Sequence, residues 1–146
     1  ITYIAAVADV DVDEETGEVF VRNLVNVHDC GKVIDHVSAR GQMLGGVLMS
    51  YGLTMNEAFL MRNGRTITPS LAEYLIPTSM DVPEKNVVGF VEEAAKIGPY
   101  GAKGLGEHSL YVTPPAISNA IFNAVGIRMT DFPFTPENIL KKLGKI

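Results

Sequence analysis

A single cysteine, Cys30, leaves no internal disulfide to stabilise this chain of 146 residues. That usage fits a reducing compartment, so a cytoplasmic setting is expected. Long apolar runs are also missing. Gly, Asn, Ser or a charge interrupts each stretch well short of the roughly 18 residues that a membrane-crossing helix needs. Basic runs are absent beyond Lys141-Lys142. With 12 basic and 17 acidic residues the net charge is −5 and the pI is near 5.1, so nothing pulls toward nucleic-acid phosphate. No internal repeat or low-complexity tract is present. The opening run ITYIAAVADVDVD has neither a basic lead-in nor a cleavage site, so it does not read as a signal peptide.

What is present suits a packed domain. Apolar residues make up 47%, charged residues 20%, and mean hydropathy is +0.17, which excludes general disorder. A chain of this size hides roughly two-thirds of its unfolded surface. It makes one domain or part of a larger one. Ile1 leads straight into a strand-like run, which raises the expectation of a fragment whose first strand has a missing partner.

Residues 2–12 and 18–27 alternate apolar and polar positions around the Glu14-Glu15-Thr16-Gly17 turn signal, so a hairpin is expected. From Asp35 the period changes to helical. Val37, Met43, Leu44, Val47, Leu48 and Tyr51 recur at helical spacing, with Asp35 or Ser38 as cap. Gly41, Gly45, Gly46 and Gly52 in that helix point to close approach of another backbone or a ligand. Leu53 to Leu60 reads as a strand, Arg62-Asn63-Gly64-Arg65 as a hairpin turn, 69–84 as an ordered wrapping segment and Val87 to Val91 as a strand. A helix is expected from Ala116 to Val125, after Pro114-Pro115 and before Gly126. A last one opens at Thr135-Pro136. The fold class that follows is α+β, with twisted, mostly antiparallel sheets covered by helices.

The segment Gly98-Pro99-Tyr100-Gly101-Ala102-Lys103-Gly104-Leu105-Gly106-Glu107 is the most informative. Four glycines permit positive φ and close backbone approach, and Glu107 is held just before a helix. It is not a nucleotide loop. G-x-G-x-x-G fails at Ser109, and the phosphate-binding G-x-x-x-x-G-K-[ST] fails because Ala102 separates Gly101 from Lys103. On spacing alone, a tight structural loop with a solvated glutamate is an equal reading.

GPYGAKGLGE, followed by PPAISNAI and TPENIL, resembles the C-terminal signature of the molybdenum hydroxylases, the xanthine dehydrogenase and aldehyde oxidase family. ETGEV, NVHDCGKVID, RGQMLGGVLMSYG and AEYLIPTSMDVP resemble the family's earlier segments in order. The likeness covers about residues 4–143. The resemblance implies that residues 1–146 are the C-terminal portion of a molybdopterin-binding domain, either a fragment of a larger chain, which is favoured, or the small subunit of a split enzyme.

The resemblance implies a molybdenum–pterin cofactor (molybdopterin, with or without the cytosine dinucleotide) and hydroxylation of an electrophilic carbon. By motif position Glu107 is the general base that deprotonates a hydroxyl on molybdenum. Lys103 is either a cofactor contact or a surface charge, and Gln42 either a cofactor contact or a helix-surface amide. Gly104 and Gly106 complete the expected cofactor-binding set. The family gives molybdenum no side-chain ligand in this region, so no metal-ligating residue is expected. Iron–sulfur clusters and FAD belong on other domains or subunits, because this chain has no cysteine set and no flavin fingerprint. Expected partners are the rest of the molybdopterin-binding subunit, those redox domains and a small-molecule substrate, with no nucleic acid and no membrane. Alone the chain is expected to be inactive.

His108-Ser109 stands where many members have Pro-Pro, which weakens inference about substrate. A purine or related N-heterocycle is favoured over an aldehyde. A non-catalytic interaction domain that kept the fold is the rival from another class. A protein-ligated metal at His28, Cys30 and His36 has no standard zinc spacing. Cys30 reads as a small buried residue at a strand end, and Glu92-Glu93 as a solvated pair.

Overall fold

Alternation in the opening segments becomes a hairpin. In a computed structural model describing residues 1–146, β1 (Tyr3–Val12) pairs antiparallel with β2 (Val19–Asp29). Asp13 accepts N–H bonds from Glu15 and Thr16, and Gly17 turns at φ +79°. β2 sends Leu24, Asn26 and His28 inward, all fully buried. The opposite face leaves Tyr3, Val7 and Val27 exposed.

Helix α1 (His36–Met55) starts where Asp35 accepts the Ser38 N–H at 2.6 Å, which makes Asp35 the cap. The strand expected over 53–60 does not form. The helix continues because Thr54 is fully buried, its hydroxyl bonding the Ser50 carbonyl and its own carbonyl taking the Phe134 N–H at 2.7 Å. Tertiary contact overrides the local preference there.

Asn63 and Gly64, at φ +51° and +75°, turn a short hairpin of β3 (Met61–Arg62) and β4 (Arg65–Thr66). The wrapping segment then packs on the end of α1. Tyr74 donates to Glu57 at 2.6 Å, and Pro77 lies against Gly52. β5 (Lys85–Val91) joins β2 in parallel, so the main sheet runs β1-β2-β5 with one antiparallel and one parallel pairing. A parallel neighbour requires a crossover, and α1 supplies it.

Helix α2 (His108–Val125) begins before its two prolines, not after them as expected. Pro114 cannot donate to the Leu110 carbonyl, and the hydroxyl of Ser50 on α1 bonds that carbonyl instead at 2.6 Å. Gly126 closes the helix at φ +75°. Helix α3 (Pro136–Leu143) is capped by Thr135, as its sequence indicates. Leu24, Met43, Val47, Ile117 and Ile121 fill the core between the sheet and the two long helices. The result is the expected α+β arrangement of small sheets covered by helices.

Close approach is confined to particular glycines. A Cβ on Gly46 would overlap the hydroxyl of Ser109 on α2, whereas Gly41 and Gly45 have no neighbour within 4 Å. Of the close approaches expected at Gly41, Gly45, Gly46 and Gly52, this chain supplies those at Gly46 and Gly52. Gly46→Ala is expected to lower stability by about 1–3 kcal/mol through overpacking. Gly45→Ala should be neutral or stabilising by up to about 1 kcal/mol from helix propensity. Thermal unfolding of both variants checks the contrast, and equal effects would refute it.

Candidate functional site

The glycine loop is sewn to the end of β2. Gly31 and Ala102 form a bridge, Lys32 donates to the Gly101 carbonyl at 3.0 Å, and Lys103 donates to the Cys30 carbonyl at 2.8 Å. Gly31 and Gly101 sit at φ +64° and +80°, and a Cβ on Gly31 would overlap the Gly101 carbonyl oxygen. Between Gly98 (φ +118°) and Gly101, the exposed Tyr100 is held at φ +55°. Gly104 and Gly106 do not have positive φ, so the loop's own conformation does not require them.

Side chains reinforce the joint. Lys103 Nζ lies 2.6 Å from Asp29 Oδ2, and Asp29 Oδ1 accepts the Gly31 N–H at 3.1 Å. Only 13% and 11% of the two side chains is exposed, so Lys103 is not the surface charge of the alternative reading. The Lys103 ammonium, and then the Gly31 N–H, hold the Asp29 carboxyl below the usual carboxylate range. Gln42, exposed on α1, donates from Nε2 to the Gly106 carbonyl at 2.8 Å. A cavity of about 380 Å³ opens between α1 and the loop, lined by Cys30, Ile34, Asp35, Ser38, Gln42 and Lys103 among others.

Glu107 follows directly. It is the N-cap residue of α2, its carbonyl accepts the Leu110 N–H at 3.0 Å, and its side chain makes no capping bond. The backbone is held and the carboxylate stands exposed. The structure thus brings Gln42 to the Gly106 carbonyl beside Glu107, and sets Lys103 with Gln42 on one cavity. Glu107, Gly104 and Gly106 lie outside that lining.

Several groups escaped the sequence reading. Asp29 is 74 residues from Lys103, and no local pattern links them. Beneath the loop, His28 and His108 meet with ring centroids 5.1 Å apart. Burial and then His108 lower the His28 pKa. His36 instead faces Glu92, at 3.6 Å, so the histidines and Cys30 do not converge. Cys30 is buried at the end of β2, and burial pushes its thiol up. Glu92 is not merely solvated. It accepts the Val33 N–H at 2.9 Å and pairs with Lys32 at 3.3 Å.

A small α+β domain with a glycine loop, a carboxylate and a cavity of mixed donors and acceptors is of a class that holds a cofactor or small molecule. Residues 1–83, more than half of the chain, match the molybdopterin cofactor-binding domain, and the chain belongs to that family. The molybdenum-binding subunit PaoC of an Escherichia coli (strain K12) aldehyde oxidoreductase is 34% identical over 148 residues. That similarity covers 99% of this chain and 20% of PaoC. The probable hypoxanthine oxidase XdhD of the same organism is 35% identical over 99% of this chain and 15% of its own length. Among solved structures, the aldehyde oxidoreductase of Desulfovibrio gigas superposes with a TM-score of 0.88 at 30% identity. There 98% of this chain and 15% of that one are covered. This chain therefore spans a fifth or less of these relatives. No helix in it is long and apolar enough to cross a membrane.

Because Asp29 has a lowered folded pKa, the stability it contributes is complete above its unfolded value, about 3.9. That contribution is lost as pH falls through the lower folded value. Protection of the 101–104 amides, the exchange rate divided into its intrinsic value at each pH, should thus be flat from pH 7 to about 5 and fall only in acid. Asp29→Asn should exchange fast at pH 7 already, and a variant as slow as wild type would remove this pair as the anchor.

Proposed function

We propose that this chain is the C-terminal portion of the molybdopterin-binding domain of a larger oxidoreductase that hydroxylates a carbon of a purine or related N-heterocycle. Glu107 is its general base. The observation that carries the reading is the exposed Glu107 carboxylate, fixed through its backbone at the junction of the glycine loop and α2. Family membership and similarity to the probable hypoxanthine oxidase support it.

The residues present fit a pterin. Gln42 offers an amide, Ser38 a hydroxyl, and Lys103 an ammonium whose three protons exceed what Asp29 takes up. At Gly106 a Cβ would meet nothing within 4 Å, so the backbone stays open to a neighbour outside the chain. Gln42, Lys103, Gly104 and Gly106 would hold the cofactor. When bound, it supplies the redox chemistry, taking two electrons from the substrate carbon as oxygen derived from water is added. Glu107 accepts the proton of the attacking oxygen at its carboxylate. The Asp29–Lys103 pair and the Gln42 bond keep that carboxylate's backbone in place. Iron–sulfur and flavin partners on other domains or subunits would carry the electrons away. A buried, unpaired Cys30 is in keeping with a cytoplasmic enzyme.

Similarity to PaoC and to the Desulfovibrio gigas enzyme favours aldehyde oxidation as the second reading. Turnover of purines against aldehydes by the purified enzyme separates the two.

In the full-length enzyme, Glu107→Gln is expected to lower turnover by at least about 10²-fold, the usual scale of general-base catalysis. Near-stoichiometric molybdenum should remain by elemental analysis. Wild-type rates in that variant would overturn the base assignment. An absence of molybdenum from the native wild-type protein, in cells that load other molybdenum enzymes, would turn the reading toward a non-catalytic domain.

A further inference from the structure

Helix α2 starts without a side-chain cap, yet its first turn carries the carboxylate on which the proposed chemistry rests. An uncapped turn has free N–H groups and tends to fray. Something other than a cap must fix it.

The ring of His108, the first residue of α2, fills that need. On one side it meets His28 edge-on, with centroids 5.1 Å apart and planes at 63°. On another it closes over Gly104, where a Cβ would stand 3.3 Å from His108 Cε1. His28 is itself immobilised. It is fully buried on β2, and its Nδ1 lies 3.3 Å from the sulfur of Met43, which is 1% exposed. The next residue of α2, Ser109, is buried with its side chain in the notch left by Gly46. A continuous stack therefore runs from α1 through β2 to the glycine loop, and the residue before His108 is Glu107.

We propose that His108, seated on His28, is a positioning residue for Glu107: the contact between the two rings fixes the first turn of α2 and with it the direction of the carboxylate. The proposal rests on Glu107 as base. Ring shape is the operative property, because His28 Nε2 and His108 Nδ1 are both buried without a hydrogen-bond partner. Losing a ring nitrogen thus sacrifices no bond within the chain, whereas losing the ring removes the contact.

The test uses the full-length enzyme carrying His108→Ala or His108→Phe, with Glu107→Gln as control. Displacing a reacting group by about 1 Å can cost on the order of 10²-fold in rate. His108→Ala is therefore expected to lower kcat by about 10- to 100-fold with KM and molybdenum content unchanged. His108→Phe should recover kcat to within about threefold of wild type. Independently of turnover, exchange of the Leu110 amide, which bonds the Glu107 carbonyl at 3.0 Å, should quicken in cofactor-free His108→Ala and not in His108→Phe. An unaltered kcat in His108→Ala, or a His108→Phe variant as impaired as His108→Ala, overturns the proposal. So does loss of molybdenum in step with kcat, which would make His108 a determinant of cofactor retention. Wild-type turnover in Glu107→Gln is a separate failure: it refutes the base itself, whatever the histidine variants do.

Discussion

The candidate site depends on one ion pair. Asp29 ends β2 and Lys103 lies in a loop with little secondary structure of its own. Their 2.6 Å contact, with little solvent to weaken it, ties that loop to the sheet. Everything that follows in the chain inherits this anchor. The Gly31–Ala102 bridge sets the loop's register, Gln42 takes the Gly106 carbonyl, and Glu107 comes next. A buried pair of this kind stabilises only if its remaining valences are met. Here the second Asp29 oxygen takes the Gly31 N–H, and Gly31 has no Cβ to overlap the Gly101 carbonyl where the loop meets the strand. Glycine at 31 and charge at 29 and 103 are thus one device.

The second constraint is the meeting of the two long helices. Pro114 removes a donor from α2, and the carbonyl it strands is taken by Ser50 of α1. About one turn away, Gly46 of α1 leaves room for Ser109 of α2. A helix that contains two prolines is normally weakened by about 3 kcal/mol or more at each. This one is supported from outside at the carbonyl that Pro114 strands. The same contacts set α2 in place relative to α1, and α2 is what carries Glu107.

Much of this was legible in the sequence, for reasons that differ by element. The β1–β2 hairpin, the Asn63-Gly64 turn and α3 are set by nearby residues, and all three stand as read. Helix α1 was visible from its period, but its end was not, because Thr54 is held by Phe134 from far along the chain. The start of α2 was misplaced for a similar reason. Two adjacent prolines signal a boundary, and only the distant Ser50 makes them tolerable inside the helix. The parallel pairing of β5 with β2 was likewise invisible, since a strand's own residues do not say which way its neighbour runs. At the site, the loop and its carboxylate were conspicuous. Asp29 was not, because a lone aspartate at a strand end is common and its partner lies 74 residues on.

The glycines of the loop divide by what each one answers to. Gly98 and Gly101 have backbone angles that side chains rarely adopt, so the fold accounts for them. Gly104 answers to His108, whose Cε1 would make a tight 3.3 Å contact with a Cβ there. Gly106 alone has an ordinary backbone and open space around it, although its carbonyl is held by Gln42. A glycine there costs backbone entropy and gains nothing from the contacts of this chain. On the proposed reading its justification lies outside the chain, in a cofactor that approaches the backbone too closely for a Cβ. On that reading Gln42, which holds the Gly106 carbonyl, and Glu107, which follows it, border the part of the loop left open by this chain.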